Sequence, residues 1–273
     1  MHKIIFVSIL FIGLLSACKQ DNKAGTPQLS KEELLNALAG HWIAVDFCAR
    51  ANQYGSVLSA MNNSHKPYAF SMTFNPAKPD SVVCYNGMET ATLPVKFNVD
   101  TLEVQGARGP GTSIFMIYNR NETEKDIVAF DRAPSGMQMD RYIKSKAGTP
   151  DAASAFLMAI NHNLFSGIFM LPGQTKEKAT QITPTGRITN FKDFDRFEVC
   201  LTGDCFVLGP GDHSDIITLY NKKDEANKKM YNFRYSGQND TLYMYNLINE
   251  RPEEKGAYKL GKLAYTFLRK KPD

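Results

Sequence analysis

The chain lacks a strong charge of either sign. In 273 residues, 32 Lys and Arg stand against 28 Asp and Glu, a formal net charge of +4 at pH 7. The basic residues are scattered apart from Arg269-Lys270-Lys271, so the sequence offers no electrostatic footprint for nucleic acid. Nucleophile motifs are missing too: there is no Gly-x-Ser-x-Gly, and no Ser-x-x-Lys with matching partners. His2, His41, His65, His162 and His213 fall in no catalytic signature, and no Cys-x-x-Cys or His pair has the spacing of zinc ligands. With no site in view, no catalytic residue, metal ligand or cofactor is assigned, and binding is favoured over enzymatic chemistry. Long apolar runs are equally scarce. Ile4 to Leu15 is the one present, broken only by Ser8 and Gly13, and it falls short of the roughly 20 residues that a membrane helix needs.

That run follows the basic start Met1-His2-Lys3 and leads into Leu15-Ser16-Ala17-Cys18. Small residues before a cut site, after a short basic and then apolar stretch, read as a processing signal. Leu-Ser-Ala-Cys resembles the lipobox of bacterial lipoproteins. An ordinary signal peptide or a buried apolar helix is the plainer alternative, but position, length, charge and cysteine agree on the lipobox. The resemblance implies a signal peptide over residues 1–17, cleavage before Cys18, and lipid attached to Cys18, so that a membrane is the first expected partner. Several acyl chains anchor stably, since each buried methylene contributes about 0.8 kcal/mol. Lys19, where inner-membrane lipoproteins often carry Asp, implies the outer membrane. Residues 18–29, polar and punctuated by Gly25 and Pro27, read as a flexible tether.

Setting Cys18 aside leaves Cys48, Cys84, Cys200 and Cys205 for an exported, disulfide-permissive setting. Four cysteines allow three pairings. If Thr202-Gly203 forms a two-residue turn, Cys200 faces Cys205 at a non-hydrogen-bonded position, where Cα atoms lie about 4.5 Å apart and a disulfide fits. The expected bridges are therefore Cys200–Cys205 and, by remainder, Cys48–Cys84. Reduced, buried thiols are the alternative.

Two helices are expected. Ser30 caps the first, with Glu33 as capping-box partner and Ala39-Gly40 as its end. The second spans Pro150 to Asn163, with Thr149 as cap and Pro150 in the first position. The remainder reads as short strands rich in β-branched and aromatic residues, from Trp42–Phe47 through Met137–Ile143 and from Gly167–Leu171 through Ala257–Leu268. A faint repeat runs through them. A helix leads into Gly40-His41-Trp42 and another into Gly167-Ile168-Phe169, and the halves close on Arg141-Tyr142-Ile143-Lys144 and Phe267-Leu268-Arg269-Lys270. Gly40-His41-Trp42 resembles the Gly-x-Trp start of lipocalin-like (calycin) barrels. The resemblance implies that Trp42 closes one barrel end under a basic residue of the last strand, Arg141 or Lys144, with Phe169 and Arg269 as the counterpart in the second half. The family's Thr-Asp-x-x-Tyr turn is absent from both halves, so cavity residues are not carried over.

The expected architecture is all-β: two tandem antiparallel up-and-down lipocalin-like barrels, each preceded by a short helix, over residues 30–146 and 147–273. Asp212-His213-Ser214-Asp215 and the loop Gly106 to Gly111 read as hairpin loops rather than metal or phosphate sites. Ser81, Thr101 and Thr241 follow Asp and precede an aliphatic residue, which resembles the O-glycosylation sequon of Bacteroidetes-type bacteria; the plainer reading is a turn followed by a strand. The functional expectation is a membrane-anchored lipoprotein that binds a small apolar or amphipathic ligand in a barrel. The alternative is an envelope adaptor that binds another protein through its barrel surface or loops, which requires filled interiors and an exposed apolar patch.

Overall fold

The computed structural model describes residues 29–62, 66–98, 101–120, 125–131, 137–146, 148–201, 207–209, 212–236, 239–249 and 258–270. Cys18, the expected signal peptide, most of the tether and Cys205 lie outside the described residues. Two antiparallel eight-stranded sheets, each preceded by a helix, make up the fold, as expected from the sequence.

Helix α1 (Lys31–Leu38) begins at the expected capping box: Glu33 N–H donates to Ser30 Oγ at 3.2 Å while Ser30 N–H donates to the Glu33 carboxylate at 2.8 Å. Its exit turn is made by Gly40, whose φ of 110° suits glycine alone. The first barrel then runs β1 (Gly40–Ala44), β2 (Ser71–Phe74), β3 (Ser81–Tyr85), β4 (Thr90–Asn98), β5 (Thr101–Gln105), β6 (Ser113–Arg120), β7 (Lys125–Phe130) and β8 (Met139–Lys144). Each strand pairs with the next, and β8 returns to β1 through Trp42–Lys144 and Ile43–Ile143, closing the ring. Side chains alternate across the wall. Trp42, Met72, Leu102, Met116, Ile127 and Tyr142 face inward with 0% exposure, so the lumen around them is filled.

One expected strand is cut short. Trp42–Phe47 stops at Ala44, and Val45 opens α2 (Val45–Tyr54), followed by α3 (Val57–Asn62). Phe47, Cys48 and Ala51 form the buried face of α2, and Gly55 ends it at φ 61° in the left-handed cap position. A helical insertion therefore occupies the first interstrand connection.

Helix α4 (Ala152–Leu164) is capped by Asp151, which accepts from Ser154 N–H at 2.7 Å, rather than by Thr149 as expected. Thr149 instead offers its carbonyl to His41 Nε2 at 3.1 Å. The second sheet comprises β9 (Gly167–Met170), β10 (Thr180–Ile182), β11 (Ile188–Thr189), β12 (Arg196–Val199), β15 (Ile216–Asn221), β16 (Asp224–Tyr235), β17 (Thr241–Asn249) and β18 (Tyr258–Arg269). A separate ribbon pairs β13 (Val207–Gly209) with β14 (Asp212–His213). Strand β18 returns to β9. Between β11 and β12 the ring is held by a narrow bridge, with Ile188 N–H donating to Asp195 O and Phe197 N–H to Gly186 O, both at 2.9 Å. The interior is aromatic: Phe169, Phe267, Phe191, Tyr265, Tyr231 and Phe194 form a chain of ring contacts with centroids 5.0 to 6.3 Å apart.

The halves are interlocked. Helix α4, at the head of the second half, packs on β1, β2 and α2 of the first. Phe156 of α4 stacks on Phe70 at 4.7 Å and lies 6.0 Å from Phe47. In return, α3 docks on Asp215 at the start of β15.

Candidate functional site

Both barrels close one end with the same device. The indole of Trp42 is fully buried and donates from Nε1 to Leu38 O at 2.7 Å, which ties it to the C-terminal turn of α1. Lys144 Nζ lies 5.8 Å from the centre of that ring and donates to Ala37 O at 3.3 Å. In the second barrel, Phe169 is fully buried under the Arg269 guanidinium, 4.8 Å away. Arg269 donates to Ser166 O at 2.8 Å and to Leu164 O at 2.6 Å, at the end of α4. In each case a cation from the last strand satisfies carbonyls at a helix C-terminus, where the helix dipole favours positive charge. The glycines match as well: a Cβ on Gly40 would stand 3.2 Å from Lys144, and one on Gly167 3.3 Å from Arg269. Of the two cations proposed for the first barrel, Lys144 is the cover. Arg141 instead points out of the barrel, with its Nε 3.4 Å from Asp46.

The expected Cys48–Cys84 bridge is not formed; both thiols are free and buried. Cys84 is paired in register with Met72 on the lumen side of β3, whereas Cys48 sits on α2 against the outward-facing Ile43 and Ile143. The barrel wall separates them, which pairing by remainder ignored. Burial pushes each thiol up to about 12, so both are protonated at neutral pH. Cys200 follows β12, and its expected partner Cys205 lies outside the described residues. The flanking hairpin expected there is replaced: β12 pairs with β15, and β13 with β14.

Ser81, Thr101 and Thr241 are each the first residue of a strand, β3, β5 and β17. Thr241 is buried and donates from Oγ1 to Asp240 at 3.0 Å, so its hydroxyl is already engaged. Asp215, from the loop weighed as a metal site, is a joint residue. It accepts from Ser56 Oγ and from Val57 and Leu58 N–H at 2.9 Å each, thereby capping α3 across the two halves. Among the described residues, no three His, Cys, Asp or Glu side chains are gathered as for a metal ion.

Two surface features remain, and sequence reading named neither. The first is a crevice of about 290 Å³ between the outer wall of the first barrel and α4. Ile43 and Ile143 from the wall, Cys48 from α2, and Ala155, Met158 and Ala159 from α4 make its apolar floor. Ala155, Met158, Ala159 and His162 follow one another at helical spacing, and the two alanines leave the space. Lys144, Lys146 and His162 stand at its rim with Ser145, Thr149 and Asn163, and among the described residues no carboxylate lines it. The second feature lies where β16, β17 and β18 run on past the second barrel. There Leu247 pairs with Leu260 and Tyr245 with Leu263, and Leu260 and Leu263 are 39% and 48% exposed. A shallow hollow of about 270 Å³ beside this row is lined by Lys228, Lys229, Met230 and Tyr258 among others. Comparison of the chain with protein-family models, with curated proteins and with solved structures gave no match.

Proposed function

We propose that this chain is a lipid-anchored cell-envelope protein, tethered to the outer membrane through Cys18, whose two lipocalin-like barrels carry a small apolar or amphipathic ligand. The observation that carries this reading is the open apolar crevice beside α4. The lipocalin resemblance places a ligand in the lumen, but the lumen-facing residues pack against one another there. Among the described residues the first lumen is filled, so on this reading the barrel wall acts as the support and the ligand sits on its outside. Native mass spectrometry of the protein purified from its host tests this. The expected spectrum shows an acylated chain beginning at Cys18 plus a dissociable small molecule. A bare, unacylated chain that retains no amphiphile after exposure to host lipids contradicts the reading.

The exposed apolar row on β16–β18 favours a second reading, an envelope adaptor that binds another protein through this face. Crosslinking in intact cells followed by pull-down is expected to recover one specific partner, with capture lost in Leu260→Glu and Leu263→Glu. Equal capture by wild type and variants contradicts it.

A further inference from the structure

We propose that the crevice between α4 and the outer wall of the first barrel is a binding site for a single-chain carboxylate amphiphile, with its tail over Ala155 and Ala159 and its head at Lys146 and His162. The inference rests on the ligand-carrier reading above and adds the site and the chemical class. Two independent features select this class. The floor is apolar on all three sides: wall isoleucines, α4 alanines with Met158, and the Cys48 thiol, which burial keeps neutral. The rim carries Lys144 and Lys146 beside the polar Ser145, Thr149, His162 and Asn163, and among the described residues no acid lines it. Lys144 is partly committed to Trp42 and Ala37 O, which leaves Lys146 and His162 as the exposed partners for an anionic head. An anionic head gains a charge-assisted bond from the lysines that is stronger than the one a neutral head makes, and a cationic head would be repelled. The volume of about 290 Å³ is at the low end for small-molecule sites, which suits one acyl chain and excludes a two-chain lipid. Both elements that shape the space are rigid. One is a closed barrel wall, and the other is a helix locked by the stacking of Phe156 on Phe70. The site is thus pre-formed and requires no opening of a lumen.

Isothermal titration of the purified full chain with dodecanoate and with dodecanol tests the proposal. Dodecanoate is expected to bind at one site, at least tenfold more tightly than dodecanol. Ala159→Phe, which fills the space, is expected to abolish binding, and Lys146→Glu to weaken it at least tenfold. Lys146 is exposed, so its variant keeps the proposal testable if Ala159→Phe fails to fold. Unchanged dodecanoate affinity in a folded variant overturns this site while leaving the carrier reading standing. Absence of dodecanoate binding to the wild type also overturns it. The search for a co-purified host molecule decides the carrier reading separately.

Discussion

The first barrel closes through continuous strand pairing and is lined mostly by aliphatic and methionine side chains. The second joins β11 to β12 by a narrow bridge and is filled by a chain of aromatic rings. Large flat side chains take up the volume where fewer backbone hydrogen bonds hold the wall, so one plan tolerates two ways of filling it. The end caps differ in the same sense. An indole with its own hydrogen bond under a lysine serves the first barrel, and a phenyl ring under an arginine with two carbonyl partners serves the second. Where the ring lacks a donor, the cation supplies more of the bonds to the helix end.

If the two caps are equivalent in purpose, emptying either one has the largest effect. Trp42→Ala and Phe169→Ala are each expected to cost about 4 kcal/mol, as for other buried aromatics, read from urea unfolding. A cost at Phe169 of less than half that at Trp42 breaks the equivalence. The cations are expected to differ. Arg269→Met removes charge-assisted bonds from two carbonyls at the end of α4 and should cost about 2 to 3 kcal/mol, whereas the more exposed Lys144→Met should cost about 1 kcal/mol or less. Equal costs contradict the view that bonding shifts from ring to cation.

The smallest effect concerns the joint. Burial holds the Asp215 carboxyl above its ordinary value of 3.8, against the lowering pull of Ser56, Leu58 and Val57. The native state therefore holds this proton more tightly than the unfolded chain does. Its contribution to stability is lost as pH rises from about 3.8 through the raised native value. Asp215→Asn removes this titration, so the stability of wild type minus that of the variant is expected to fall over that window in parallel urea series. A flat or rising difference contradicts the assignment.

Much of this was legible in the sequence because it is local or periodic. The capping box at Ser30, the glycine exits at Gly40 and Gly167, and the alternation of strand residues depend on neighbours a few positions apart. The pairing of Trp42 with a cation of the closing strand was legible through resemblance, although only the register, Trp42 against Lys144, selected between Lys144 and Arg141. The insertion α2–α3 was missed because Trp42-Ile43-Ala44-Val45 continues as a strand pattern, and the helical spacing of Phe47, Cys48 and Ala51 sets in only afterwards. The Cys48–Cys84 bridge failed because pairing by remainder carries no information about which side of a wall a side chain occupies. The crevice was out of reach for a related reason. Ile43, Cys48, Ile143 and Ala159 come from four elements spread along the chain and meet only when α4 crosses to the first barrel. Two alanines one helical turn apart reveal a space only once the opposing surface is known.

The ligand proposed for this protein sits on the outside of a barrel and not in a lumen. Methyl NMR of the chain labelled at methionine, titrated with dodecanoate, tests this most directly. Met158 lines the crevice, whereas Met72 and Met116 face the first lumen and Met244 the second. A saturating shift of the Met158 methyl, with Met72, Met116 and Met244 unmoved, is the expected result. Shifts at Met72, Met116 or Met244 with Met158 unmoved would place the ligand inside a barrel and contradict the account.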